Sequence, residues 1–95
     1  MNISAIIEAR MTSSRLPGKI LKKIGQKECL MHTIHRLQMI KDLDNIIVAT
    51  TSNYTDDIIC DLCELNNISY FRGSENNVLN RVLSASKHFN VDVIV

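Results

Sequence analysis

Glycine and proline are scarce in this sequence, which has three glycines, one proline and no tryptophan among its 95 residues. The spacing of the three glycines excludes the two most familiar phosphate-binding loops. The dinucleotide pattern G-x-G-x-x-G is absent, because Gly18, Gly25 and Gly73 are far apart. The Walker pattern G-x-x-x-x-G-K-[ST] is also absent, because Ser13 replaces its first glycine and Ile20 its final hydroxyl residue. Any phosphate site in this chain must use another arrangement.

Long apolar runs, a large net charge and an even number of cysteines are also missing. No apolar run approaches the roughly 20 residues of a transmembrane helix, and the first residues lack the features of a signal peptide. We therefore expect a cytoplasmic protein with no membrane partner. A net charge of +1 gives no basis for nucleic acid as a partner, and three cysteines make a poor disulfide framework. The length and composition are typical of one globular domain.

A local lack of acid marks the most informative stretch, residues 9–19. No acidic residue lies between Glu8 and Glu28, and six of the eleven lysines and arginines lie in the first 27 residues. These six are Arg10, Arg15, Lys19, Lys22, Lys23 and Lys27. A loop that combines cations, adjacent serines and a Pro-Gly pair can direct charges, hydroxyls and N–H groups at a polyanion. The stretch therefore predicts an anion-binding loop, and the alternative is a solvated basic turn.

The apolar pattern predicts a βαβαβαβ order. We expect strands over 3–9, 45–51, 68–71 and 91–95, and helices over 28–39, from 56 or 57 to 66, and from 76 or 77 to 88. This order indicates an α/β fold of three layers with a parallel sheet and right-handed crossovers. Ligands of such sheets bind beyond the carboxyl ends of the strands, where loops 10–19, 51–56 and 72–76 emerge. The basic loop is thus expected at the ligand-binding edge.

Three other features receive structural interpretations. The C-x-x-C motif at 60–63 has no further zinc ligands at suitable spacing and lies inside a predicted helix, so we interpret its cysteines as structural. His32 and His35 lack the H-E-x-x-H pattern and fit a partly exposed helix. Asp56 and Asp57 need no metal, because acidic residues are favourable in the first turn of a helix.

Residues 6–21 resemble the opening of the sugar-activating cytidylyltransferases, which include the CMP-KDO and acylneuraminate synthetases. The string A-R-x-x-S-x-R-L-P-G-K at 9–19 carries the resemblance, and the stretches 47–51 and 71–75 also fit. The similarity is strongest to the branch of spore-coat polysaccharide biosynthesis proteins. One departure is Thr12, where many members have glycine. The resemblance implies a Rossmann-like nucleotide-diphospho-sugar transferase fold, of which βαβαβαβ is the N-terminal portion.

The activity implied by the resemblance is transfer of CMP from CTP to a sugar, with release of pyrophosphate, for surface polysaccharide biosynthesis. Lys19 and Arg10 are the implied catalytic residues, which clamp the triphosphate. The implied nucleotide-binding residues are Ala9, Arg10, Ser13, Arg15, Lys19, Arg72, Gly73 and Ser74. The backbone of Ala9 and Arg10 would lie against the base, and Arg72 would reach the base or ribose. The alternative for Arg72 is an ion pair with Glu75.

The resemblance also implies that residues 1–95 are the N-terminal, nucleotide-binding part of a longer nucleotidyltransferase domain. Similar enzymes place a magnesium-binding aspartate just beyond the fourth strand, whereas this sequence stops at Val95. We therefore expect Mg²⁺ as cofactor, its ligand carboxylate beyond Val95, no metal ligand within the chain, and CTP binding without turnover. Two alternatives stay open: a nucleotidyltransferase using another NTP with a sugar 1-phosphate, and a non-catalytic nucleotide-binding module. The acceptor sugar, the base preference and the oligomeric state, including a homodimer, are also open.

Overall fold

The computed structural model describes residues 1–12 and 19–94, which form two small sheets and three α-helices. The strands are β1 (Ile3–Glu8), β2 (Lys23–Ile24), β3 (Lys27–Glu28), β4 (Asn45–Thr51), β5 (Ser69–Gly73) and β6 (Val93–Ile94). The α-helices are α1 (Cys29–Gln38), α2 (Asp57–Leu65) and α3 (Val78–His88). Short 3-10 helices cover Lys19–Leu21 and Tyr54–Asp56. Among the helices so described, none is long and apolar enough to cross a membrane.

The main sheet is parallel and has the strand order β5-β4-β1-β6, which confirms the predicted α/β architecture. Glu8 pairs with Ala49, and Gly73 pairs with Thr51, so β1, β4 and β5 end at one common edge. The order along the chain reverses at β1, because β4 lies on one side of it and β6 on the other. Such a switch point is where open parallel sheets bind ligands.

Alternation along β4 assigns one apolar face of the sheet to each helix layer. Val48 packs with α1 and α2, whereas Ile47 and Ala49 pack with Ala85 of α3. All four side chains have no exposed surface. Burial of a large aliphatic side chain such as Ile47 contributes roughly 1.5–3 kcal/mol. The sheet is therefore the middle of three layers, as the element order predicted.

Asparagines end two of the helices, in agreement with the predicted end of the second helix at 66. Asn67 and Asn90 adopt positive φ values of 58° and 55°, a conformation that asparagine tolerates better than most residues. The next amide in each case bonds back to the last turn, from Ile68 N to Cys63 O at 2.8 Å and from Val91 N to Ser86 O at 2.9 Å. This is the Schellman ending, which satisfies otherwise unpaired carbonyls.

The structure differs from the predicted elements at three places. β5 continues through Arg72 and Gly73, which were expected in a loop, because both pair with the end of β4. The turn predicted at Gly25 is the tip of a hairpin of β2 and β3, and its positive φ of 69° matches a turn that needs glycine there. The fourth main strand begins at Val93 rather than at 91. Val95 lies outside the described residues.

Candidate functional site

Three segments meet at the carboxyl edge of the sheet: residues 9–12, 51–57 and 72–76. Ala9 N donates to Ala49 O of β4 at 3.0 Å, Met11 N donates to Asp56 Oδ1 at 2.7 Å, and Ser52 N donates to Gly73 O at 3.3 Å. Ala9 is buried, which fits a role for its backbone rather than its methyl group. The edge predicted to bind a ligand is therefore a continuous hydrogen-bonded rim.

Arg10 leaves β1 and reaches across this rim. Its Nη1 donates to the carbonyl of Glu75 at 3.3 Å, and its Nη2 donates to the hydroxyl of Thr12 at 3.1 Å. Its Nε is buried and has no partner among the described residues. Two of the five N–H groups of this guanidinium are thus engaged by the protein. The structure therefore brings Arg10 and the segment after β5 together.

Arg72 is held more firmly than Arg10. Its Nε donates to Thr51 O at 2.8 Å, its Nη2 donates to Asn53 O at 2.9 Å, and its Nη1 lies 2.8 Å from Asp57 Oδ1. The hydrogen bond to Asp57 raises the pKa of Arg72. The alternative ion pair with Glu75 is not the one seen, because the carboxylate of Glu75 accepts from Asn53 Nδ2 at 2.7 Å. Arg72 therefore fixes the segment 51–57 to the end of β5.

Asp56, interpreted from the sequence only as a first-turn acid, has a further role at the rim. It is fully buried, and its carboxylate accepts from Met11 N at 2.7 Å and from the hydroxyl of Thr51. The carboxylate thus ties the first residues of the basic loop to the end of β4. Its position after a strand gave no sign of this, because a first-turn acid explains the same sequence.

Gly73 and Ser74 have clear structural reasons for their identity. A Cβ at Gly73 would lie 2.9 Å from Cε2 of Phe71 and 3.2 Å from Cγ of Arg81, so a larger residue would force these side chains to shift. The hydroxyl of Ser74 accepts from Asn77 N at 3.1 Å, at the start of α3. Both residues lie on the rim and are partly exposed.

Arg81 and Glu8 form a second feature that sequence reasoning missed. Arg81 has no exposed surface; its Nη1 donates to Ser74 O at 2.9 Å and its Nη2 pairs with the carboxylate of Glu8. Glu8 ends β1 on the face covered by α3. The one available signal was a charged residue four positions before Ala85 on the same helix face.

The remaining predicted residues lie elsewhere or outside the described part of the chain. Ser13 and Arg15 fall in residues 13–18, outside the description, and so does the side chain of Lys19. Lys19 begins the 3-10 helix that closes the basic loop. Cys60 and Cys63 are buried and unpaired, and burial raises the pKa of both, for Cys63 to about 12. They are therefore poor nucleophiles.

The carboxylates at the rim do not fit a divalent metal. Asp56 is occupied by Met11 N and the Thr51 hydroxyl, and Asp57 by Arg72. Within residues 1–12 and 19–94, no group of three or more His, Cys, Asp or Glu side chains could hold a metal ion.

The chain is similar to known proteins along nearly its whole length. The chain is 39% identical over 98 residues to the spore coat polysaccharide biosynthesis protein SpsF of Bacillus subtilis, covering 99% of the chain and 41% of SpsF. A cytidylyltransferase structure from Leptospira borgpetersenii superposes with a TM-score of 0.92 at 39% identity, covering 99% of this chain and 40% of that one. The structure of CMP:2-keto-3-deoxy-manno-octonic acid synthetase complexed with CTP shares the fold, with a TM-score of 0.78 at 22% identity over 99% of this chain and 38% of that one.

This chain therefore spans about 40% of the length of the proteins that it matches. The resemblance drawn from residues 6–21 is confirmed, because residues 4–95 match the family model described as cytidylyltransferase. The chain belongs to the cytidylyltransferase family.

Proposed function

We propose that residues 1–95 are the N-terminal, nucleotide-binding part of a nucleotidyltransferase that converts CTP and a sugar into a CMP-sugar and pyrophosphate. The observation that carries the proposal is the contact between Arg10 and the Glu75 carbonyl, at 3.3 Å. It joins two segments, 9–12 and 72–76, that resemble nucleotide-binding segments of the family. The name of SpsF supports a role in surface polysaccharide biosynthesis, and the CTP complex of the synthetase supports the nucleotide.

The proposed chemistry requires positive charge at the rim. An oxygen of the sugar attacks the α-phosphorus of CTP, the bond to the bridging oxygen breaks, and negative charge moves onto the departing pyrophosphate. Fixed cations stabilise that charge without reorganising during the reaction. We assign this task to Lys19 and Arg10, with Ser13 and Arg15 in support. The N–H groups of Nη1 and Nη2 of Arg10 that do not bond to Glu75 or Thr12 are the ones offered to phosphate.

The base and ribose are assigned to the other side of the rim. The backbone of Ala9 and Arg10 lies at the end of β1, where a base can stack or bond against it. Three N–H groups of Arg72 are bonded to the protein, so the other two are the ones that contact the base or ribose. Gly73 and Ser74 contribute backbone on the same side.

Magnesium belongs to the proposal, with its ligand carboxylate placed beyond Val95. The rim carboxylates are engaged by protein donors, and we assign no step of the reaction to a metal bound by residues 1–95. On this proposal the 95-residue chain binds CTP weakly and turns over nothing. We further propose a cytoplasmic location, a sugar acceptor as second substrate, and no nucleic acid or membrane partner; a homodimer is one compatible assembly.

The proposal is tested by nucleotide binding and turnover measured separately. Isothermal titration of the 95-residue chain with CTP and magnesium should give saturable binding, and UTP, GTP and ATP serve as matched competitors. Pyrophosphate release should be absent with this chain and present with a version extended beyond Val95, given CTP and a panel of acidic sugars.

Each alternative has its own outcome in these assays. Binding of no nucleotide would contradict the proposal, and preference for another base would indicate the NTP and sugar 1-phosphate alternative. Binding without turnover by the extended protein would favour the non-catalytic module. Turnover by the 95-residue chain alone would show that the carboxylate placed beyond Val95 is not required.

A further inference from the structure

We propose that Arg81 is a positioning residue of the nucleotide site, which sets the place of Arg10 by holding the turn at Ser74 and Glu75. The inference rests on the proposed function, because it assigns Arg81 a task in that same site. No part of the nucleotide need touch Arg81, whose side chain is fully buried beneath the rim. Its effect is transmitted through the backbone to which it is bonded.

Arg81 and Arg10 bond to neighbouring backbone carbonyls. Consecutive carbonyls of one turn are held by two different arginines, Ser74 O by Arg81 at 2.9 Å and Glu75 O by Arg10 at 3.3 Å. A displacement of the first carbonyl therefore moves the second, which is the acceptor that holds Arg10 across the rim. Arg81 also pairs with Glu8, only two positions before Arg10 on the chain. Both ends of the Arg10 contact thus depend on the Arg81 guanidinium.

Burial of the Arg81 guanidinium costs free energy. A guanidinium without exposed surface is costly to desolvate, and Arg81 Nε has no partner among the described residues. An apolar side chain of similar volume often replaces a buried ion pair without loss of stability. The arrangement is therefore a weak way to stabilise a helix, but a direct way to hold two loops at one fixed separation. Departures from complete polar pairing are expected at functional sites.

Gly73 makes space for Arg81. A Cβ at Gly73 would lie 3.2 Å from Cγ of Arg81, so a larger residue there would require Arg81 to shift. A glycine inside a strand weakens the strand, so its presence at the end of β5 marks a required close approach. The approach brings Arg81 directly under the turn that it holds. Gly73, Arg81 and Glu8 therefore act as one support beneath the rim.

The test uses Arg81→Lys, which keeps the buried charge but cannot hold Ser74 and Glu8 with a planar fork. Lys87→Met is the matched control, because Lys87 is an exposed cation on the same helix. CTP affinity by calorimetry should fall about 10-fold in Arg81→Lys, the effect expected when about one hydrogen bond is lost. Lys87→Met should leave affinity unchanged. Amide exchange should rise at residues 75–77 of Arg81→Lys, while the amides of β4 keep their protection.

A double variant separates positioning from simple loss of stability. If Arg81 acts through Arg10, the variant Arg10→Met with Arg81→Lys should lose little more CTP affinity than Arg10→Met alone, because the cycle detects shared action. Fold losses that multiply would overturn the inference, and so would unchanged CTP affinity in Arg81→Lys. If the unaltered chain binds no nucleotide, the proposed function itself falls and takes this inference with it. If Arg81→Lys does not fold, Glu8→Gln is used in its place. Glu8→Gln should raise amide exchange at residues 75–77 and weaken CTP binding. If neither amide exchange nor CTP affinity changes, the inference is wrong.

Discussion

The two arginines at the rim, Arg10 and Arg72, look alike in sequence and differ in what their N–H groups do. Arg72 spends three on Thr51, Asn53 and Asp57, at distances of 2.8–2.9 Å. Arg10 spends two at longer distances, 3.1 and 3.3 Å. A cation near a binding site can therefore serve mainly to hold the protein together rather than to contact the ligand. We infer that Arg72 mainly stabilises the rim and that Arg10 mainly binds the nucleotide.

Removing the Asp56 side chain should have the largest effect on the free energy of unfolding. Asp56→Ala should lower the free energy of unfolding by about 3 kcal/mol, because it leaves Met11 N and the Thr51 hydroxyl without their charged acceptor. Urea unfolding measures this loss. Asp56→Asn is the control, since its amide oxygen can still accept from Met11 N, and it should lose about half as much or less. Equal losses in the two variants would show that the acceptor role is not what matters.

Removing the cations of the basic loop should affect binding rather than folding. Lys19→Ala and Arg10→Ala should each weaken CTP binding by about 1.5–3 kcal/mol, the range for charge-assisted hydrogen bonds. Calorimetric titration with CTP and magnesium gives the value. Lys41→Ala is the matched control, because Lys41 is an exposed cation at the opposite edge of the sheet. Unchanged affinity in Lys19→Ala would remove Lys19 from the phosphate clamp.

Arg72→Ala should affect folding stability more than CTP binding. We expect a loss of about 1.5–2 kcal/mol in the free energy of unfolding, since three hydrogen bonds disappear but the side chain is partly exposed. Thermal and urea unfolding measure the loss against Arg36→Ala, an exposed arginine on α1. If Arg72→Ala folds as stably as the parent and only CTP binding suffers, the distinction between the two arginines is wrong.

The smallest effect is an alkaline loss of stability away from the rim. Burial raises the pKa of Cys63 from 9.0 to about 12, and the hydrogen bond to Glu64 raises the pKa of Tyr70 from 10.0 to about 12. The folded state therefore holds these protons more tightly than the unfolded state. Their contribution is present below about pH 9 and is lost as pH rises towards about 12. Urea midpoints from pH 8 upward should fall less steeply in Cys63→Ala than in the parent, whereas equal slopes would contradict the assignment.

Most of the fold could be predicted, because apolar periodicity reports which faces are buried. The end of β5 could not, since neither Arg72 nor Gly73 favours strands and only pairing with β4 extends it. The role of Arg81 and the contacts of Asp56 were not predicted, for a related reason. The sequence does not show which groups will pair with a charged residue. Arg81 is buried because it bonds to Ser74 and Glu8, and Asp56 is buried because it bonds to Met11 and Thr51. The roles of Lys19, Ser13 and Arg15 stay predictions.

The most direct test of the central claim locates CTP on the sheet. Amide chemical shifts of the ¹⁵N-labelled chain, followed during titration with CTP and magnesium, report which edge the nucleotide contacts. The account predicts saturable shifts at residues 9–12 and 72–76, and none at residues 41–45 at the opposite edge. Shifts confined to 41–45, or no shifts at the rim at saturating CTP, would contradict it.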